Sequence, residues 1–503
     1  MTKESVQNYD IVIAGAGFAG SLMAMVLNSM GLKVCLIEKG QHPRFAVGES
    51  STPVADMILR QLSQQYDFPW LKDFSRYGSW QQAHPEIVCG IKRGFSYFKH
   101  HPGEEFTTDS NHINELFVAA ISDDMQSDTN WLRADFDSFL ISKVKEAGIS
   151  YFDLTEISSA ERNGTWTFHI NGSESADITA SFFIDATGSG VLLDRILKVK
   201  SSSRNFLTNS FAVFSHFNEV PRWMKVLQES GIPTSDFPYD PDNSALYQIL
   251  DEAWLWMLRF NDDRTSLGFA LNDKNCTFDD LPAKQIWNCL RDKYPTVNKL
   301  LKDISLSSEP GSINKSDRLQ RRTERCFGPG WAALPHTAGF IDPLFSSGIA
   351  HSLSGIQKIA SILQHYWGKN DELYHNLEQY EQGVFEELKF IDQLVAGSYQ
   401  TMDRFELFNA WSMLYFTATI SYEQRLLKKM PAGYFLGADD LAMRDMVNLS
   451  YQDLMTIIKK QDVTSMDILQ FTATIRHRIN PYNIAGLLNP TLKNMYQHTA
   501  VNF

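Results

Sequence analysis

Tyr9-Asp10-Ile11-Val12-Ile13-Ala14-Gly15-Ala16-Gly17-Phe18-Ala19-Gly20, continuing through Ser21 to Met30 and then Lys33-Val34-Cys35-Leu36-Ile37-Glu38, decides the fold of this chain. Asp10 to Ala14 is a short run rich in β-branched residues, the pattern of a buried strand. Ser21 to Met30 carries apolar residues at helical spacing, and Gly31 stands where a helix stop belongs. Lys33 to Ile37 is a second buried strand. The glycine triplet therefore lies between a strand and a helix, the context that gives it meaning. Gly15 permits the tight turn, Gly17 lets the backbone approach a diphosphate, and Gly20 lets helix and strand pack closely. The helix start at Phe18, Ala19 and Gly20 offers unpaired N–H groups and positive potential. Glu38 ends the second strand, where a carboxylate accepts hydrogen bonds from ribose hydroxyls. The stretch predicts an adenine-dinucleotide site.

Bulk properties narrow the rest. With 503 residues, 43% hydrophobic and 21% charged, the chain predicts two or three folded subdomains and no long disordered tail. Aromatic residues make up 12%, which suits aromatic-lined pockets as well as large core side chains. A net charge of −13 disfavours nucleic acid and anionic membranes as partners. Cys35, Cys89, Cys276, Cys289 and Cys326 show no metal spacing, so no metal is expected, and they read as reduced core thiols of a cytoplasmic protein. No hydrophobic leader opens the chain and no apolar run reaches membrane-spanning length.

The fold class expected is α/β: a Rossmann-type dinucleotide-binding domain with an inserted β-rich substrate domain and a helical C-terminal region. The binding domain is discontinuous, over residues 1–60, 131–205 and 319–371. Residues 61–130 and 206–318 form the substrate-covering domain, and 372–503 the helical region. A helix begins at Trp131, carrying Arg133 and Asp137 one turn apart. Strands are expected over 149–154, 166–170 and 178–184. The last runs into the loop Asp185-Ala186-Thr187-Gly188-Ser189-Gly190, and Gly330 to Pro335 leads on to Asp342.

With these elements placed, the chain resembles the flavin-dependent halogenases of the class A flavin monooxygenase superfamily, in the branch acting on phenolic and other small aromatic rings. The resemblance rests on the glycine motif with Glu38, the loop from Pro43-Arg44 to Gly48-Glu49-Ser50, Cys89-Gly90-Ile91-Lys92, Trp254-Leu255-Trp256, and Phe340 to Gly348. It implies FAD, used as FADH2, held by the glycine motif together with Arg44, Gly48, Glu49, Ser50, Arg133, Asp185, Gly188, Asp342 and Pro343. Chloride or bromide as co-substrate would sit on backbone N–H groups of Ser347 and Gly348. Lys92 would be catalytic, holding the hypohalous oxidant by hydrogen bond and aiming it at the ring; Lys99 is the weaker stand-in. Trp254 and Trp256, on one face of a strand, would wall the flavin off from substrate. The motif's usual isoleucine and proline are replaced here by Leu258 and Arg259.

Phe345 stands where tryptophan-type relatives carry a glutamate, which favours an electron-rich phenol as substrate. His100, His101 and His112 are candidates for a general base on position alone; ordinary surface histidines are the plainer reading. The resemblance also implies a separate flavin reductase, since no second nucleotide fingerprint is present, and a small aromatic substrate, free or bound to a carrier. The activity expected is chlorination or bromination in secondary metabolism. An NAD(P)H-dependent aromatic hydroxylase is the competing enzyme class, and a non-catalytic flavin-binding protein the competing non-enzyme.

Overall fold

The computed structural model describes residues 7–172, 175–273, 278 and 280–500. Its first sheet grows from the opening stretch. The strand Gln7–Ala14 pairs in parallel with Val34–Ile37 on one side and Ser175–Asp185 on the other. Ser150–Phe152 and Trp331–Ala333 extend the parallel order outward. A parallel strand covered on both faces needs unbroken apolar sequence, and Ile11, Val12, Ile13, Cys35 and Leu36 are completely buried. The helix Phe18–Ser29 makes the crossover between the first two strands. Thr165–Asn171 and Glu156–Asn163 fold antiparallel onto the long strand Ser175–Asp185.

Two of the boundaries that shift from expectation lie close to the site. The helix begins at Arg133, because Trp131 still belongs to the strand Asp128–Trp131, paired with Cys89–Lys92. The strand expected over 149–154 shrinks to Ser150–Phe152, and Leu154 turns the chain with φ +46°.

A second, mixed sheet runs Ser210–Asn218, Thr265–Asn272, Ala253–Arg259, Ala245–Ile249, Gly94–Lys99, Glu115–Ala119. Both of its faces are buried. Ala253, Leu255 and Met257 enter one core with Phe98 and Trp287, while Trp254, Trp256 and Leu258 enter the larger core shared with the first sheet. The period of two thus places both tryptophans on one face.

The helices Asn370–Tyr399, Phe405–Leu427, Leu441–Ile458 and Ser465–Ile479 dominate the C-terminal region. The chain then returns as Met495–Tyr496, adding a parallel strand beside Glu115–Ala119. Among the described residues no helix is long and apolar enough to cross a membrane, and no cluster of His, Cys, Asp and Glu could hold a metal ion. Cys35, Cys89 and Cys326 are buried free thiols, but Cys289 is exposed on an amphipathic helix rather than in the core. Cys276 lies outside the described residues.

Candidate active site

The glycine loop forms a cradle. Gly15 has φ +95°, and a Cβ there would stand 2.7 Å from the Ala186 carbonyl oxygen; a Cβ on Gly20 would stand 1.9 Å from that of Gly15. Neither position admits a side chain. Above Gly17 the nearest atoms a Cβ would meet are side chains: the Arg133 guanidinium at 3.4 Å and Arg44 at 3.9 Å, with Asp137 between them. Two guanidinium groups beside the helix start at Phe18 and Ala19 are the donors an anionic diphosphate needs. Arg133 is held bidentately by Asp137 at 2.9 and 2.8 Å and also donates to the Val47 and Gly48 carbonyls, tying that loop to the cradle.

Glu38 accepts from the Ala16 and Gly40 N–H groups at 2.8 and 2.9 Å, with Arg44 at 3.5 Å. Burial works against its charge, but those partners hold the carboxyl below its ordinary range. Each oxygen keeps a lone pair for a ribose hydroxyl. Asp185 accepts from Thr187 through one oxygen, while the other is buried without a partner; burial pushes the carboxyl up to about 6. The Gly188 N–H donates to Thr337. These features fit an adenine dinucleotide.

Asp342 and Glu49 turn inward to protein partners. Asp342 accepts from Ser210, Tyr399 and the Leu344 N–H, and Tyr399 in turn accepts from the Trp254 indole at 2.9 Å. Glu49 accepts from, or shares a proton with, His216 at 2.6 Å, and Ser50 bridges to Asn130. Beyond Asp342 and the half-buried Pro343, Ser346 adopts φ +52° and hydrogen-bonds with Tyr247 at 3.2 Å. The turn delivers Ser347 and Gly348 to the start of the 19-residue helix Gly348–Tyr366. The first N–H groups of a helix have no intrahelical acceptor, and a Cβ on Gly348 would meet nothing within 4 Å.

Lys92 ends the short strand Cys89–Lys92 and is 0% exposed. Its ammonium donates to the Ser51 carbonyl and lies 4.3 Å over the Phe95 ring. Burial pushes it down to about 8, against the opposing pull of Asp128 and Asp56. Such a lysine passes a proton readily near neutral pH. The strand is seated by contact: a Cβ on Gly90 would stand 1.7 Å from the Arg259 carbonyl oxygen, so only glycine fits. Arg259 itself reaches Asp242 at 2.6 Å and the carbonyls of Val220 and Pro221.

A chain of rings joins the loop at Phe45 to Lys92. Phe45 stacks on Phe214, which meets Trp256; Trp256 and Trp254 are 5.8 Å apart, and Trp254 meets Tyr247 at 4.8 Å. Tyr247 touches Phe95 and Tyr97. The helix Phe405–Leu427 roofs this group: Phe408 packs on Tyr97 and Phe416 on Phe95, while Phe345 stacks on Tyr415 at 4.1 Å. Tyr97 Oη, Asn409 Oδ1 and Ser412 Oγ are buried there without hydrogen-bond partners. Nothing in their sequence pattern singles these three out.

The histidine candidates lie elsewhere. His100 is buried at the far end of Gly94–Lys99, bonded to Gln248 at 2.7 Å and pushed by burial down to about 4. His112 is buried between Glu115 and Asp236, so neither is the surface histidine expected; His101 is exposed. Lys99 is ion-paired with Asp251 at 2.6 Å.

The tryptophan halogenase family matches residues 10–71 and 131–428. The tetracycline 7-halogenase of Kitasatospora aureofaciens is 25% identical over 446 residues, covering 85% of this chain and 76% of that protein. Monodechloroaminopyrrolnitrin halogenase PrnC of Pseudomonas fluorescens is 25% identical over 447 residues, 85% of this chain and 75% of that protein. The fold is similar to that of halogenase PltM, solved in complex with phloroglucinol and FAD, with a TM-score of 0.87 at 24% identity over 97% of this chain and 99% of that one.

Proposed function

The chain belongs to the tryptophan halogenase family and is a flavin-dependent halogenase using FAD, oxygen and halide; from that premise we propose that it halogenates a small phenolic ring, with Lys92 steering the oxidised halogen. Membership sets aside the hydroxylase and the non-catalytic binder. The observation that carries the substrate class is the cluster of aromatic rings packed beside Lys92. It offers flat apolar surfaces, and Tyr97, like Asn409 and Ser412 on the helix packed over it, has a buried oxygen without a partner. A buried polar atom left unpaired costs about 1–3 kcal/mol, and the hydroxyls of a phenol would supply the partners. The PltM structure contains phloroglucinol, a ligand of that kind.

Bound reduced FAD, with oxygen and halide, supplies the hypohalous acid. The cradle of Gly17, Arg44, Arg133 and Glu38 would hold the dinucleotide, with Asp185 and Gly188 flanking it. Ser347 and Gly348 N–H groups at the helix start would hold halide. Trp254 and Trp256 stand between the Phe45 loop and the rings beside Lys92, and would keep ring and flavin apart. Lys92 donates a hydrogen bond to the oxidant's oxygen. As the ring carbon takes the halogen, that oxygen leaves as water with a proton from the ammonium, and the ring proton restores the balance. Phe345 contributes a stacked wall and no acid. A separate flavin reductase supplies the reduced cofactor.

The test is mass spectrometry of a panel of phenols, indoles and pyrroles incubated with the protein, FAD, a flavin reductase, NADH, and chloride or bromide. Halogenated phenols are expected. Halogenation confined to indoles or pyrroles would overturn the substrate class.

A further inference from the structure

Lys92 has two acidic neighbours with no place in the mechanism above. In the ladder between Cys89–Lys92 and Asp128–Trp131, Lys92 is the direct cross-strand partner of Asp128. Such partners project to the same side with Cβ atoms ~5 Å apart. Asp56, in the first turn of the helix Pro53–Gln65, lies close enough to Asp128 for the two buried carboxyls to act on each other. All three are essentially sealed from solvent, at 0%, 2% and 1% exposure for Lys92, Asp128 and Asp56. One oxygen of each carboxyl is buried with no hydrogen-bond partner.

Two neighbouring carboxyls sealed from water cannot both stay ionised at low cost, and a proton shared between their unpartnered oxygens relieves the repulsion. Burial raises both, Asp56 well above the ordinary carboxyl range and Asp128 to about 6. The pair therefore holds one proton and one negative charge at neutral pH, next to one ammonium. Arg60 and Arg76 act on Asp56, Arg76 also on Asp128, and Tyr415 from the roofing helix lies within electrostatic reach of Asp128. No step above needs this pair, yet burying it is costly.

We infer that Asp56 and Asp128 act as a proton-sharing pair behind Lys92, positioning residues whose single negative charge keeps the ammonium protonated and aimed at the oxidant. The inference rests on the assignment of Lys92 above. Asp128 carries the charge; Asp56, as the protonated partner, holds Asp128 in place.

The experiment is the pH dependence of halogenated product for the wild type, Asp128→Asn, Asp128→Glu, Asp56→Asn and Lys92→Met, with FAD binding measured on each. Removing a negative charge beside an ammonium disfavours its charged form. Asp128→Asn should therefore move the alkaline limb down by ~1 pH unit, and Asp128→Glu should restore it. In Asp56→Asn the amide donates permanently to Asp128, which then stays ionised to lower pH. That variant should keep the alkaline limb and shift the acid limb downward. Opposite limbs moving in the two variants is a result that packing alone does not produce. Limbs superimposable on wild type, with Lys92→Met inactive, would overturn the pair's role alone. Lys92→Met halogenating like wild type would overturn the lysine assignment and the pair with it. If Asp128→Asn fails to bind FAD, Asp56→Asn decides: an unmoved acid limb overturns the inference.

Discussion

The strand Gly94–Lys99 has a buried lysine near each end, and the two are treated oppositely. At the far end Lys99 meets Asp251 in a direct ion pair at 2.6 Å, and beside it His100 is bonded to Gln248. Just before the near end Lys92 donates only to a backbone carbonyl and lies over an aromatic ring, with the buried Asp128 as its cross-strand partner. A lysine neutralised by direct contact is a structural cation. One held by a carbonyl and a ring can offer its remaining donors to a ligand. Burial is therefore no guide to which lysine does chemistry; the partners are.

Replacing Arg259 by proline, the residue the family motif carries there, should have the largest effect on stability. It removes the Asp242 ion pair and the bonds to the Val220 and Pro221 carbonyls, and it fixes φ in the backbone against which Gly90 packs. We expect a loss of about 3 kcal/mol by denaturant unfolding, together with slower halogenation, since the Lys92 strand loses its seat. An Arg259→Pro protein of wild-type stability would mean that the two motifs are not mechanically joined.

Lys99→Met should cost about 1–2 kcal/mol, because it leaves Asp251 unpaired at a partly solvated position. Product formation should stay within about twofold of wild type. Loss of product without loss of stability would erase the distinction between the two lysines.

The smallest effect concerns Glu387, which anchors the helix that starts at Gly348. Burial works against its charge, but Lys358 and His351 hold the carboxyl at about 2. A depressed folded-state value stabilises the fold above the unfolded carboxyl range and loses that contribution as pH falls toward 2. Thermal unfolding of the wild type should therefore weaken between about pH 4.5 and 2 more steeply than that of Glu387→Gln. Parallel curves would show that the anchor carries no such linkage.

The dinucleotide unit was legible because its evidence is local. The turn at Gly15, the close approach at Gly20 and the carboxylate at Glu38 lie within one stretch of chain, and each has its geometric counterpart. Lys92 and the two tryptophans were legible as motifs, and the alternation of Trp254 and Trp256 survives as a shared face. The ring cluster around Lys92 was not. Tyr97 comes from a strand and Phe408, Asn409 and Ser412 from a distant helix, and only tertiary packing lays one over the other. Asp56 and Asp128 were invisible for the same reason, since a proton-sharing pair is a contact and leaves no spacing to read. His100 follows a strand buried on both faces, which shows no polar alternation to mark depth, and His112 sits in a turn that Glu115 and the distant Asp236 close over.

The most direct measurement compares Lys92→Met and Lys99→Met side by side, supplied with FAD, a flavin reductase, NADH, bromide and a phenol, following halogenated product and oxygen consumption together. Lys99→Met should halogenate, while Lys92→Met should consume oxygen at the wild-type rate and lose about 10²–10⁴-fold in product. Full halogenation by Lys92→Met would contradict the account, whatever Lys99→Met does.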